Sequence, residues 1–213
     1  MPWIILGVLV SYFIGSIPTA YIFGRILKGI DIREFGSGNV GATNALRLLG
    51  KGPGIAVLIL DILKGLLAAL FVGNIVVAGI KGMSAATIQW DTGIRILLGL
   101  SAILGHNWTI FLRFKGGKGI ATSFGVLLGL AVKVSSLKII LTLLILTWLI
   151  IFAISRIVSL ASVLSGMILP VYMLFFKQPA VLTFLSIILA IFIILRHKSN
   201  LRRIFQGKEP RLK

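Results

Sequence analysis

Apolar residues run along this chain in long blocks, separated by short polar stretches rich in Gly, Ser, Asn, Lys and Arg. A helix that crosses a bilayer needs about 20 mostly apolar residues. The blocks predict seven such spans, over 3–27, 53–80, 94–112, 120–136, 138–155, 158–176 and 179–195. The expected fold is therefore an all-α polytopic membrane protein with seven transmembrane helices. The third and fourth spans flank a very short glycine break, and the fourth and fifth nearly touch. The first block has no Lys or Arg before Arg25 and is long enough to cross, so it reads as a retained helix rather than a signal peptide. No fixed-period repeat is visible, and residues 1–213 read as a single integral membrane domain.

Composition agrees with the pattern. Of the 213 residues, 58% are hydrophobic and 13% charged, against about 45–50% and about 25% in an ordinary soluble domain. Mean hydropathy is +1.08. A water-soluble enzyme is excluded. The net charge of +17 would suggest nucleic acid if the apolar fraction were normal. Here the cations crowd into breaks between apolar blocks, so the expected partners are anionic membrane lipids and anionic substrates, with no nucleic acid. Cysteine is absent, which removes disulfides, thiolate metal sites and a Cys nucleophile.

The cations also orient the chain. Of the 22 Lys and Arg, five (Lys81, Arg95, Lys133, Lys138 and Lys177) fall in one set of segments, and Lys64 lies within a span. The other 16 fall in the alternate set and the tail. The positive-inside rule then puts the N-terminus outside and the C-terminus in the cytoplasm. The loops richest in Gly, Ser, Asn and Lys share that cytoplasmic side, where separate loops can assemble one site.

Three segments and the tail can carry chemistry. The first runs Asp31-Ile-Arg-Glu-Phe-Gly-Ser-Gly-Asn-Val-Gly-Ala-Thr-Asn44-Ala-Leu-Arg47. Its G-x-G-x-x-G has no strand before it and no βαβ unit after it, so a dinucleotide site fails on context. Glycine runs still expose N–H groups that can cradle a phosphate, with Ser37, Asn39, Thr43, Asn44 and Arg47 around Gly36, Gly38 and Gly41. An inter-helix turn is the competing reading.

The second segment contains His106-Asn-Trp-Thr and then Lys115-Gly-Gly-Lys-Gly119-Ile-Ala-Thr122. Gly119 follows Lys118 where a P-loop would have Ser or Thr. Two lysines in a three-glycine turn that opens an apolar helix still make an anion site, because helix N-terminal amides and ammonium groups converge there. A positive-inside anchor would explain Lys115 and Lys118 but not Gly116, Gly117 and Gly119.

In the third segment Ser159, Ser162 and Ser165 share a helical face, a pattern that on its own favours helix packing. The tail sets His197 and Asn200 on adjacent turns amid a basic run. Asp61 and Lys64, at i and i+3 inside a span, are expected to neutralise each other; a proton relay is the alternative. Neither His106 nor His197 has the Asp of a His-x4-Asp acyltransferase arrangement, and there is no carboxylate cluster for a divalent metal. No metal and no cofactor are expected.

Taken together, these segments resemble the bacterial acyl-phosphate:glycerol-3-phosphate acyltransferase family. The resemblance rests on Gly36-Ser-Gly-Asn-Val-Gly-Ala-Thr-Asn44, on Gly105-His106 leading to Phe114-Lys-Gly-Gly-Lys-Gly-Ile-Ala-Thr122, and on Ser155-Arg156 with its downstream serines. It ends in Arg196-His197-x-x-Asn200-x-x-Arg203 before Gly207 and Glu209. Ile157 stands where an aromatic residue is expected.

The resemblance implies a multi-pass enzyme of the bacterial cytoplasmic membrane, active at the cytoplasmic face. It would move a fatty acyl group from acyl phosphate to the first hydroxyl of glycerol 3-phosphate, giving lysophosphatidic acid for phospholipid synthesis. It further implies a functional link to a phosphate acyltransferase that makes the acyl phosphate. Both substrates are phosphates, and gathered cations and amides offset their repulsion. Ser37, Gly38, Asn39, Gly41, Thr43 and Asn44, with Lys115, Gly116, Gly117, Gly119 and Thr122, are expected to bind substrate, chiefly the donor phosphate and oxyanion. Arg47, Lys118, Ser162, His197 and Asn200 are expected on the glycerol 3-phosphate side, with His197, Lys118 and Asn200 catalytic, and Ser159 is also expected to bind substrate. A substrate phosphate or His197 would take the hydroxyl proton. The rival from another class is a small-anion or lipid-phosphate transporter, which would place such loops at the bilayer midplane in related halves.

Overall fold

The structure is a computed structural model that describes residues 1–81 and 90–212. Residues 82–89 of the expected outer connection after the second span, and the tail cation Lys213, lie outside the described residues. The regular elements among the described residues are all helices, joined by short loops, with no strand among them. They form two compact units, Met1–Lys133 and Val134–Lys213.

In the first unit, the expected span 3–27 is divided. Helix α1 (Pro2–Ser16) ends before Pro18, and α2 (Thr19–Lys28) begins after it. Proline lacks an N–H and disfavours helical geometry in the residue before it; Ile17 accordingly takes ψ 114°. Helix α3 (Ala42–Leu49) precedes α4 (Lys51–Leu66), which runs through a π-helical stretch at Leu67–Val72 into α5 (Gly73–Lys81). The wider π turn alters the carbonyl ladder. Arg95 occupies the place beside it, donating to the carbonyls of Ala69 and Leu70, to Asn74, and to Asp91 at 2.6 Å. The charge count sets Arg95 among the outer-face cations. Helix α6 (Asp91–Asn107) instead starts three residues early and buries it as a packing residue.

Helix α7 (Ile120–Ala131) follows the glycine–lysine turn. It stops five residues short of the expected 136, where Lys133, Ser135 and Ser136 interrupt the apolar run. Close approach of backbones defines the packing of this unit. A Cβ on Gly15 would stand 2.0 Å from the Ala102 carbonyl oxygen, and one on Gly125 1.9 Å from that of Ile62. Small residues that let helices meet backbone to backbone are the packing currency of membrane bundles. Large apolar side chains such as Leu9, Phe13, Ile59 and Phe71 face outward, as lipid contact demands.

The second unit contains α8 (Leu137–Ser155), α9 (Val158–Phe175), α10 (Ala180–Arg196) and the short α11 (Lys198–Phe205). Arg156 caps α8 in the left-handed region, at φ 58°. Helix α11 turns 62° from α10 at His197. Leu212 N–H donates to the Arg156 carbonyl at 2.8 Å, fastening the tail to the α8–α9 corner.

Five helical stretches among the described residues are long and apolar enough to cross a membrane, or six with the bent α10–α11 pair. Helix α7, at 12 residues, falls below that length.

Candidate active site

The first loop is built around Asn44. Its side chain is fully buried, accepts from the Ser37 N–H at 3.0 Å, and donates to the carbonyls of Ile32 and Phe35. Gly36 (φ 61°) and Gly38 (φ 68°) occupy the left-handed region that this tight return requires. Asn44 thus holds the loop, while Ser37 and Gly38 are exposed and Asn39 and Thr43 half-buried. Gly41 caps α3, whose first turn presents N–H groups without intrahelical partners. Arg47 lies one turn after Asn44 on the same helix.

Asp31, near this loop, is not available as a base. Arg33 hydrogen-bonds its carboxylate, with Nη2 at 2.6 Å, and Arg25 stands at 3.6 Å. The Arg33 side-chain hydrogen bond is the main cause that lowers the Asp31 pKa to about 2, against an opposing effect of burial.

The second loop folds back on the end of α6. Thr109 caps a 3-10 turn at Ile110–Leu112 and donates to the Ser16 carbonyl at 2.6 Å. Arg113 and Phe114 then take positive φ, and the chain runs alongside α6. Gly117 N–H donates to the His106 carbonyl at 2.9 Å, and Gly116 N–H to that of Asn107 at 3.2 Å. A Cβ on Gly116 would lie 2.1 Å from the His106 carbonyl oxygen, and one on Gly117 2.1 Å from His106 Nε2. Gly117 has no positive φ; its glycine is required by the imidazole packed against it. Gly119 has φ 78° and lies against the Asn107 amide. These glycines are therefore demanded by packing before any ligand is considered. The turn leaves Lys115 exposed and Lys118 half-buried at the entrance to α7. Thr122 is fully buried. Among the described residues, its hydroxyl and both polar atoms of the Asn107 side chain have no hydrogen-bond partner.

Behind this turn, Asp61 and Lys64 pair at 2.7 Å, as their spacing predicts. Thr19 donates to the same carboxylate at 2.6 Å, and Lys64 also donates to the Ile17 carbonyl at the Pro18 break, which accepts the Thr19 N–H as well.

In the second unit Glu209 is the organiser. Its carboxylate accepts from Ser159 at 2.7 Å, from Asn200 Nδ2, and from Arg203 Nε at 2.7 Å. Burial alone would raise its pKa, but those three hydrogen bonds together hold it below the usual carboxylate value. Asn200 lies three residues after His197, so the two share one face of the tail. His197 Nδ1 lies 2.8 Å from the Ile193 carbonyl. A carbonyl can only accept, so Nδ1 carries the proton and Nε2 is left as the second nitrogen. Ser162 accepts from Trp148 Nε1 at 3.2 Å. The three serines therefore do different work: Ser159 serves the tail, Ser162 meets α8, and Ser165 is buried in the helix packing. Glu209 was legible only as the end of the tail motif; as one of five acids in a +17 chain, its scarcity was the signal.

An apolar helical bundle with glycine-rich, basic inter-helix loops defines an integral membrane protein. The glycerol-3-phosphate acyltransferase profile matches residues 5–207, and the chain belongs to that family. It is 44% identical to the glycerol-3-phosphate acyltransferase of Nostoc sp. (strain PCC 7120) over 209 residues, covering 96% of this chain and 90% of that one. It is 42% identical to that of Rippkaea orientalis, covering 100% and 95%. Its fold matches the crystal structure of PlsY (YgiH), an integral membrane glycerol 3-phosphate acyltransferase, in its glycerol 3-phosphate form. That match has a TM-score of 0.82 and 35% identity, covering 99% of this chain and 96% of the other. The lysophosphatidic acid form of the same protein matches with a TM-score of 0.79 at 34% identity, covering 99% and 95%.

Proposed function

We propose that this glycerol-3-phosphate acyltransferase takes its acyl group from acyl phosphate and places it on the sn-1 hydroxyl. The hydroxyl oxygen forms an ester bond to the acyl carbon. The bond between that carbon and the phosphate oxygen breaks, and phosphate leaves with the electron pair. The observation that carries this reading is the glycine–lysine turn: the Gly116 and Gly117 N–H groups fasten it to α6 carbonyls, and it sets Lys115 and Lys118 beside the first-turn amides of α7, suited to a phosphate and a developing oxyanion. Phosphate is a good leaving group, so the reaction needs little base strength. This suits a chain in which Asp31 is held by Arg33 and Glu209 by three donors.

Ser37, Gly38, Asn39, Gly41 and Thr43, on the loop that Asn44 shapes, join Lys115–Gly119 and Thr122 for the donor. Arg47, Lys118, Ser159, Ser162, His197 and Asn200 serve glycerol 3-phosphate. The hydroxyl proton passes to a substrate phosphate or to His197 Nε2. The whole chain acts as one domain in a bacterial cytoplasmic membrane, with a phosphate acyltransferase supplying the donor. Helix α7 spans about 18 Å at 1.5 Å per residue, short of the roughly 30 Å hydrocarbon layer. We read it as the fourth of seven crossings, completed by its flanking loops, with the N-terminus outside and the tail and glycine loops at the cytoplasmic face.

Purified protein should release inorganic phosphate from palmitoyl phosphate only when glycerol 3-phosphate is present. Comparable turnover with palmitoyl-CoA would contradict the choice of donor.

A further inference from the structure

His106 belongs to no role assigned so far, yet it joins two parts of the first unit. On one side Asp61 Oδ1 lies 3.7 Å from its Nδ1. That carboxylate is fixed by Lys64 at 2.7 Å and Thr19 at 2.6 Å, and Lys64 is anchored in turn at the Ile17 carbonyl. On the other side His106 Nε2 occupies the place where Gly117 would carry a Cβ, and its carbonyl accepts the Gly117 N–H. Asp61, Lys64 and His106 are 1%, 5% and 8% exposed. Lys64, His106, Gly116 and Gly117 line one small cavity at the α1–α2 break. Ionisable groups within a membrane span are costly and call for a function or a firm partner. Here the partners are firm, and the group facing the turn is an aromatic ring that neither bends nor shortens.

We propose that His106, held from behind by the Asp61–Lys64–Thr19 cluster, is a positioning residue for acyl transfer. Its ring sets the Gly116–Gly117 backbone and thereby the aim of Lys118 and the first turn of α7. The proposal rests on the acyl-transfer reading above. It also explains why a histidine without the sequence neighbour of a His-x4-Asp pair still meets an aspartate: the acid arrives from α4 through space. The ring's task is geometric.

The test compares purified wild type with His106→Ala, His106→Gln, Gly117→Ala and the double variant His106→Ala/Gly117→Ala, using palmitoyl phosphate and glycerol 3-phosphate. His106→Ala should raise the KM of at least one phosphate substrate about tenfold, the scale of one weakened charged hydrogen bond, while kcat changes less. His106→Gln, which restores polar bulk, should raise it only a few-fold. Adding Gly117→Ala to His106→Ala should cost less than adding it to wild type, because the ring it collides with is gone. Wild-type KM values in folded His106→Ala, or losses that simply multiply in the double variant, would overturn the proposal. If His106→Ala does not survive purification, His106→Gln decides: a raised KM supports the proposal and an unchanged one overturns it. If wild type itself transfers nothing from palmitoyl phosphate, the acyl-transfer reading fails. Equilibrium binding of glycerol 3-phosphate then tests positioning alone, with weaker binding to His106→Ala supporting it and equal binding contradicting it.

Discussion

Between Asn107 and Ile120 the first unit builds with backbone; around Glu209 the second builds with side chains. The glycine–lysine turn is held by two main-chain hydrogen bonds onto α6, so close that no Cβ fits at Gly116 or Gly117. The tail cluster is held by one carboxylate that gathers a hydroxyl, an amide and a guanidinium. A backbone-built turn has no give, since its neighbour is a fixed carbonyl. A side-chain cluster can re-form through rotamers when one member is exchanged. Substitutions of similar size should therefore have very different consequences in the two places.

The largest effect is expected at Gly116→Ala. The added methyl meets the His106 carbonyl oxygen, and only a backbone shift relieves it. Steady-state kinetics on folded protein should show kcat/KM lower by about a hundredfold or more. Near-normal turnover would mean that the turn is outside the active site.

Next comes Lys118→Ala, which leaves the turn intact and removes a cation. Loss of a charged hydrogen bond costs roughly 1.5–3 kcal/mol, or about ten- to a hundredfold. The loss should appear in kcat/KM for glycerol 3-phosphate; an unchanged value would reduce Lys118 to a membrane anchor.

Smaller again is Glu209→Gln. The amide keeps an acceptor for Ser159 but loses the ion pair with Arg203 and faces the Asn200 amide with one good acceptor oxygen. Activity should fall several-fold, and Asn200→Ala should cost less in this background than in wild type, since contacting residues couple. Losses that multiply would mean that Glu209 and Asn200 act separately.

The smallest effect is expected at Asp31→Asn and is confined to acid pH. The folded-state pKa of Asp31 is depressed from 3.8 to about 2. Its contribution to stability is therefore present above about pH 4 and is lost as pH falls towards 2. The melting temperature of Asp31→Asn should lie below that of wild type at pH 6, with the gap closing as pH falls towards 2. A gap independent of pH would contradict the Asp31–Arg33 account.

The same contrast explains what could be read from the chain. Helical spans follow from apolar block length, so the continuous α4–α5 stretch, α8, α9 and α10 fall close to their expected limits. The Pro18 break, the early start of α6 and the short α7 depend on local backbone geometry and on what Arg95 can reach, which block length does not record. In the site, the types of residue were visible but not their partners. Nothing in the spacing of Asn44 tells that it closes its own loop. The approach of Asp61 to His106, 45 positions apart, is set by helix packing. The spacing offers Gly117 as a glycine for a phosphate, and does not tell that an imidazole ring packs against it.

The proposed acyl donor is a mixed anhydride whose phosphate leaves as the ester forms. Inorganic phosphate and 1-palmitoyl-glycerol 3-phosphate should be counted together in one reaction of purified protein with palmitoyl phosphate. One phosphate is expected for each ester, and none of either without glycerol 3-phosphate. Phosphate released without the ester, or ester formed equally from palmitoyl-CoA, would contradict it.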